Sequence, residues 1–352
     1  MTKPYSYHRE DNLIRRIRGS ILMFSLWVLT ILVIFTVSLG RQAFLDLKLA
    51  EYQRDKLKAS AWASSGIAKA ITVLEKDAVD AKTKDYDIIQ ECGVNLNGKE
   101  PQEIFSFSAG DTGDSFKIGK EDSNGEFVYG LSDEESKINI NGTSALDKKK
   151  IAVLLRESQV GQPEELAAAV INWITAGSAN EAARGEKFSV PEELQAALEY
   201  FYRNQGYPVE LSRMRAGEVY GRIEGAVTIY GDSKININTA SDEALRIFIL
   251  AIAENVGQSF SDVPRYRAAG EGLFNKLVEL RQSAPLKKEA DIVLGNLTGE
   301  EEINIFAGVK PYLKVSSDVF LIPAAGKARA IRHYIAAVYN RKEQRIVYWH
   351  ES

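Results

Sequence analysis

The chain has 352 residues, 45% apolar and 26% charged, which fits two or three folded domains at roughly 100–200 residues each and excludes wholesale disorder. A formal charge of −4 argues against a general nucleic-acid binder, whose phosphate contacts need a basic face. The single cysteine, Cys92, excludes an intramolecular disulfide, a cysteine-rich zinc site and a dithiol redox motif. Three histidines (His8, His333, His350) argue against a histidine-built metal site.

Residues 1–19 hold Lys3, Arg9, Arg15, Arg16 and Arg18 against Glu10 and Asp11, a net of +3, so the remainder carries −7. Ser20 to Gly40 follows, 21 residues without a charge. At ~1.5 Å per residue such a helix is about 31 Å long, matching a hydrocarbon core of roughly 30 Å. The basic flank is expected to stay cytoplasmic, with the bulk of the chain on the other side of the membrane. A cleaved secretory signal fits less well, since its apolar region runs only ~7–15 residues before a small-residue cleavage site. No such site precedes Arg41, and the run is very hydrophobic for a twin-arginine signal.

The helical pattern continues past the apolar run. From Arg41 to Lys76 there is no proline, and Phe44, Leu47, Leu57, Ala61, Ile67, Ala70, Ile71 and Leu74 recur at helical spacing among charged residues. The spacing predicts a helix of some 55 residues, greasy in its first half and amphipathic in its second. Sustained heptads of a coiled-coil stalk are absent. Residues 77–100 read as a polar loop. Short β-branched and aromatic runs at 104–107, 115–119 and 126–131 read as strands, with Asn124-Gly125 as a hairpin turn.

From 132 the composition turns helical and a repeat begins. Ser136-Lys137-Ile138-Asn139-Ile140-Asn141 recurs at Ser233-Lys234-Ile235-Asn236-Ile237-Asn238, 97 residues later. Each copy leads from a strand into a helix, and the asparagines are expected to satisfy turns or caps. Thr239 to Asp242 and Ser189 to Glu192 read as capping boxes. Amphipathic helices are expected at 163–174, 189–202 and 271–282. β character returns from Pro311, and 330–340 and 345–351 form a hairpin through Arg341–Gln344. Sheet-forming segments therefore flank a helical block of about 175 residues, which predicts an α+β domain with a helical insertion.

The basic leader ending in Arg18-Gly19-Ser20, the apolar helix with LWVLTIL (26–32), the doubled KININ motif, AVINWI (169–174) and the ending IAAVYNRKEQRIVYWHE (335–351) occur in one order over nearly the whole chain. Together they resemble the GspK-type minor pseudopilin of type II secretion systems. The resemblance implies a pilin-like α+β fold, a long N-terminal helix packed on an antiparallel sheet with a large inserted all-helical domain. The implied division is a cytoplasmic prepilin leader (1–19), a membrane half of the helix (20–40), an amphipathic stalk half (41–78), a sheet domain from 79–132 plus 311–352, and an inserted domain at 133–310. A prepilin peptidase would cut between Gly19 and Ser20 after the basic residues Arg15, Arg16 and Arg18, leaving a methylated N-terminus. The implied role is a cap at the tip of the periplasmic pseudopilus that helps to initiate its assembly, anchored in the inner membrane. Its partners would be two other minor pseudopilins, the peptidase, the inner-membrane secretion platform and the lipid bilayer, with no nucleic acid. Most pilins carry glutamate at the fifth position of the mature chain; here it is Phe24. A carboxylate in the bilayer is costly unless paired, and a tip subunit has no subunit above it with which to pair. Leu57, Ala61, Ile67 and Ile71 are expected to face partners along the stalk helix.

One alternative competes. NINTASDEAL also resembles the opening of a helix-hairpin-helix module, as in membrane-anchored competence-type DNA receptors. Such modules grip phosphate through a Gly-apolar-Gly hairpin. The candidate hairpins here carry one glycine each, Gly161 and Gly257, and Arg265 and Arg267 sit among Glu254, Asp262 and Glu271. No nucleophile motif, Walker loop, dinucleotide fingerprint or zinc spacing occurs, so no enzyme activity and no required cofactor are expected. A structural Ca²⁺ is compatible with the resemblance. Asp111, Asp114, Glu121, Asp122, Asn124 and the triplet Asp133, Glu134 and Glu135 are the acidic loop groups, and none is assigned as a ligand.

Overall fold

A computed structural model of the chain describes residues 10–80, 85–87, 100–110, 113–121, 125–175 and 185–352, with backbone alone at 10–20. The first nine residues and the loop around Cys92 lie outside it. One helix, α1, runs Glu10–Val79, and the chain divides into compact units at residues 1–58 and 59–352. With no proline to break it, α1 runs through the membrane-like stretch and beyond, and it already includes the end of the basic leader. From Ile21 it is long and apolar enough to cross a membrane, and residues 21–50 are all exposed.

The second unit is built on an antiparallel sheet. Its short strands are β1 (Ser106–Ser108), β2 (Ser115–Glu121), β3 (Phe127–Tyr129) and β4 (Ser132–Asp133). Its long ones are β9 (Val319–Ala328), β10 (Ile331–Asn340) and β11 (Arg345–Glu351). The order is β1-β2-β9-β10-β11, with β3 on β2 and β4 on β9. β2 pairs directly with β9, Ser115 opposite Lys327 and Ile118 opposite Ala324. One sheet thus takes strands from before and after the long helical block. The run at 104–107 is only partly a strand. Pro101 opens a short helix, α2 (Pro101–Phe105), which turns Phe105 fully inward. Gly125 has φ +81°, as an Asn-Gly turn demands, Asn124 itself lying outside the described residues.

Residues 59–79 of α1 cover one face of this sheet. Ala59, Ala63, Ile67, Ala70 and Leu74 are buried at three- and four-residue spacing. All but Ala59 join Phe116, Ile118, Phe320, Ile322, Ala324, Ile335, Ala337 and Tyr339 in one core.

The inserted block carries seven helices among its described residues. They are α3 (Ala145–Glu157), α4 (Pro163–Thr175), α5 (Glu193–Asn204), α6 (Val209–Ile223), α7 (Asp242–Ser259), α8 (Val263–Ser283) and α9 (Glu300–Val309). It also carries two short parallel ladders. β5 (Ile138–Asn139) pairs with β6 (Val227–Thr228), and β7 (Ile235–Asn236) pairs with β8 (Leu313–Lys314). Each KININ copy is therefore the first strand of a unit whose helices return to a closing strand beside it. The block is two such units in tandem. β8, expected in the large sheet, closes the second unit, because Leu313 and Val315 are needed in the helical core. α7 is buried nearly all round from Ala244 to Glu254 and forms the centre of that core.

The capping pattern differs from the sequence reading. Ser241, not Thr239, caps α7 by accepting from the Ala244 amide. The Ser189 amide instead donates to the Glu193 carboxylate. The full capping box is Ser144 with Asp147 at the start of α3.

The helix–sheet contact yields a sharp expectation. A Cβ on Gly326 of β9 would lie 2.0 Å from the Ala59 carbonyl oxygen and 2.4 Å from the Ala63 nitrogen, both rigid backbone. Gly326→Ala is expected to destabilise the second unit by about 3 kcal/mol through overpacking, measured as a lower urea midpoint at unchanged m-value. Gly225→Ala, with open space around its Cβ, is the control expected to change little. An unshifted midpoint for Gly326→Ala would refute this docking.

Candidate functional site

Phe24, at the position of the usual pilin glutamate, and the four residues expected to face partners divide between the two units. In the first unit Phe24 and Leu57 are both 72% exposed. In the second, Ala61 is exposed, but Ile67 is only 2% exposed and lies in the sheet core, and Ile71 is half-buried against it. Ile67 is thus corrected from a partner contact to a core residue. At 3.6 residues per turn it sits about 120° around the helix from Ala61, on the face the sheet occupies. The free face of this segment is instead Ala61, Ser65, Ala68 and Thr72. The Ser65 and Thr72 hydroxyls donate to the carbonyls of Ala61 and Ala68, at 2.8 and 2.9 Å, so the face presents small, polar-satisfied residues to close approach. Gly19 and Ser20 lie on helical backbone, and the side chains of Arg15, Arg16 and Arg18 lie outside the described ones.

The second feature is the junction where the chain leaves the sheet for the helical block and returns. Asp133 on β4 accepts from the Ser317 hydroxyl at 2.6 Å, the Thr239 hydroxyl and the Glu135 amide. Glu134 pairs with Lys137 at 2.6 Å and accepts from the Thr228 hydroxyl at 2.7 Å. Glu135 pairs with Lys314 at 2.6 Å and accepts from the Asp318 amide. Asp87 accepts from the Ser317 amide and faces Arg341, which also reaches Asp77 at 3.1 Å. The outgoing chain at 133–135, the returning chain at 314–318 and the end of β10 are thereby tied together. Desolvation pushes the Asp133 carboxyl up to about 6, against the hydrogen bonds from Ser317 and Thr239. Desolvation likewise pushes Asp87 up to about 7 and outweighs the Arg341 charge held 3.4 Å away.

This chemistry does not suit a calcium ion. The oxygens of Asp133, Glu134 and Glu135 are already engaged by hydroxyls, amides and lysines, and no cluster that could hold a metal occurs among the described residues. Asp111, Asp122 and Asn124 lie outside the described residues.

The repeated asparagines do the same work twice. Asn139 Oδ1 accepts from the Asn141 amide at 2.8 Å, and Asn236 Oδ1 from the Asn238 amide at 3.0 Å. Asn141 Nδ2 donates to the Phe188 and Ile229 carbonyls while its Oδ1 takes the Phe188 amide. Asn238 does so with Leu286 and Val315. Each asparagine pins a distant connecting segment to the end of its ladder. The repeat is broken where Lys150 replaces the counterpart Ile247. Its ammonium is buried over the Phe248 ring, 4.7 Å from the centroid, and donates to Asp147 and the Ser233 carbonyl. Burial lowers its pKa.

Most arginines beside the two hairpins considered for DNA are held by carboxylates. Arg267 pairs with Glu157 and Glu254, and Arg265 with Glu301. Arg156, beside the first hairpin, pairs with Glu164 and Glu254. A phosphate backbone would have to displace these carboxylates.

No family model and no curated protein matches the sequence. The fold is similar to a chain in the crystal structure of the GspK-GspI-GspJ complex from the type 2 secretion system of enterotoxigenic Escherichia coli. The TM-score is 0.58 at 12% identity, covering 86% of this chain and 99% of that chain. The chain therefore has a GspK-like α+β fold, with a long N-terminal helix, an antiparallel sheet and a large helical insertion. That neighbour is a secretion pseudopilin rather than an enzyme.

The junction carboxyls set a pH dependence. Their folded pKa values lie above the ordinary 3.8, so the native state holds protons that the unfolded chain releases between about pH 4 and 7. Their contribution is fully present below about pH 4 and is lost as pH rises through about 6 and 7. The urea midpoint of the second unit is expected to be higher at pH 5 than at pH 8, and Asp87→Asn should shrink that difference. Equal slopes in wild type and variant would show that Asp87 is ionised throughout.

Proposed function

We propose that the chain is a minor pseudopilin of a type II secretion system, placed at the tip of the pseudopilus, where it helps to start assembly and so supports export of folded proteins. The GspK-like fold, shared over 86% of the chain, is the observation that carries this reading. The neighbour was crystallised with GspI and GspJ, which supports other pilin-like subunits as this chain's partners. The apolar stretch of α1 supports anchorage in the inner membrane, with the basic leader cytoplasmic and the bulk periplasmic. Prepilin peptidase would cut between Gly19 and Ser20, and the inner-membrane platform would then receive the mature helix.

Two arguments favour the tip. The inserted block is too bulky to repeat along a tightly packed helical filament, whereas a cap has free space above it. Phe24 replaces the usual glutamate, and only a subunit with nothing above it can dispense with pairing to a neighbour's amine. Partner contact would then run along the free face of α1 beginning at Ala61, where small residues let a second helix approach closely.

Gold-labelled protein should mark one end of isolated pseudopili, and label along the whole length would exclude the tip. Gly19→Val should leave the leader attached and abolish assembly, read by N-terminal sequencing from a strain with active peptidase. Ala61→Glu should at least tenfold weaken co-purification with two pilin-like partners while leaving the second unit's melting unchanged.

A further inference from the structure

Arginines of the inserted block are almost all neutralised. Arg156, Arg203, Arg213, Arg246, Arg265, Arg267 and Arg281 each face a carboxylate within 4 Å. Among the described residues two depart from this rule, Arg215 and Arg222, and both line one cavity of about 340 Å³ between α6 and the turn joining α3 to α4. They lie seven residues apart, two turns along the same face of α6. The Arg215 guanidinium lies over the Tyr207 ring, 4.3 Å from its centroid, and 5.9 Å from that of Tyr202, contacts that hold it without cancelling its charge. Arg222 donates to the Gln159 carbonyl at 3.3 Å, again without a carboxylate.

The rest of the wall narrows the ligand. Glu218 stands between the two arginines in sequence and lines the same cavity, paired with neither, so the site carries a net charge of +1. That balance suits one carboxylate and leaves an acceptor for a neighbouring N–H. Val160 and Val219 are buried in the wall, and Leu211 adds apolar surface. Met214 is 55% exposed at the rim and extends the apolar surface beyond the cavity. A free small carboxylate would leave Met214 uncovered, whereas a chain continuing past the cavity would cover it.

We propose that this cavity binds an acidic side chain flanked by an apolar residue in a peptide segment of a partner protein. The carboxylate lies between Arg215 and Arg222, the apolar neighbour rests on Val160, Leu211 and Met214, and Glu218 accepts a backbone N–H of the segment. The tip reading neither requires this site nor supplies it.

The test uses the full chain in detergent micelles and a fluorescein-labelled dodecapeptide of four Gly-Leu-Asp repeats, read by fluorescence anisotropy. A matched peptide with asparagine for aspartate is the comparison. The aspartate peptide should bind about tenfold tighter or more, as expected for a charge-assisted contact. The double variant Arg215→Gln with Arg222→Gln should abolish that preference. Met214→Glu, a rim change with little folding cost, should weaken binding of the aspartate peptide. Arg213→Gln, whose guanidinium faces Glu199 outside the cavity, should keep the preference and so exclude a general surface field. Equal affinity for the two peptides, a preference that survives both cavity variants, or an equal loss in Arg213→Gln would overturn the proposal.

Discussion

The second unit depends on how closely a helix can approach a sheet. Ala59, Ala63, Gly66 and Ala70 put almost no side chain on the face that α1 turns to β9, and Gly326 puts none on the opposing strand. Backbone then meets backbone with no room for even a single Cβ at Gly326. The larger core residues, Ile67, Leu74, Phe116 and Phe320, fill the flanks of that contact. A larger residue at the centre would lift the helix and open the whole core, because interiors packed at crystal density have no slack to absorb it.

Building one sheet from both ends of a chain imposes a second constraint. The inserted block must begin and end at the same place. Asp133 on β4 lies opposite Phe320 on β9, so the exit and the return are adjacent. Each half of the block answers this by returning its last strand beside its first. The asparagines at 139, 141, 236 and 238 hold the connecting segments there with side-chain amides, which can donate and accept at once. The buried acids of the junction hold the two halves and the sheet in one arrangement, at the expense of desolvation visible in the raised pKa values of Asp87 and Asp133.

Charge in the inserted block follows the same economy. Glu254, Glu157 and Glu271 serve Arg156, Arg246 and Arg267 across α3, α7 and α8, turning three helices into one network. Such a network keeps the helices in register and leaves little positive surface for nucleic acid. The unpaired arginines on α6 matter because they depart from this pattern at one place.

Much of this was legible in the chain. Twenty-one uncharged residues after a basic leader can make little else than a membrane-length helix. Runs of β-branched and aromatic residues and the short turn at 341–344 define β10 and β11 almost to the residue. The duplicated KININ motif marked two equivalent strand-to-helix entries, and the pairing of β5 with β6 and of β7 with β8 made each the start of a unit. Local signals reached no further, because they describe a residue's neighbours in sequence. Whether Ile67 faces a partner or the protein's own sheet depends on which side of α1 the sheet occupies. Only pairing between segments some 200 residues apart decides that. Whether Leu313 joins the large sheet or closes the second unit depends on where Ile235 lies. The cap of α7 moved from Thr239 to Ser241 because Asp133 claims the Thr239 hydroxyl from more than 100 residues away. Composition and periodicity thus revealed most of the elements, the membrane-length apolar stretch and the internal repeat. The partners of buried polar groups, the free face of the helix and the charge left unpaired were decided by tertiary structure, since each depends on which distant atoms share a desolvated space.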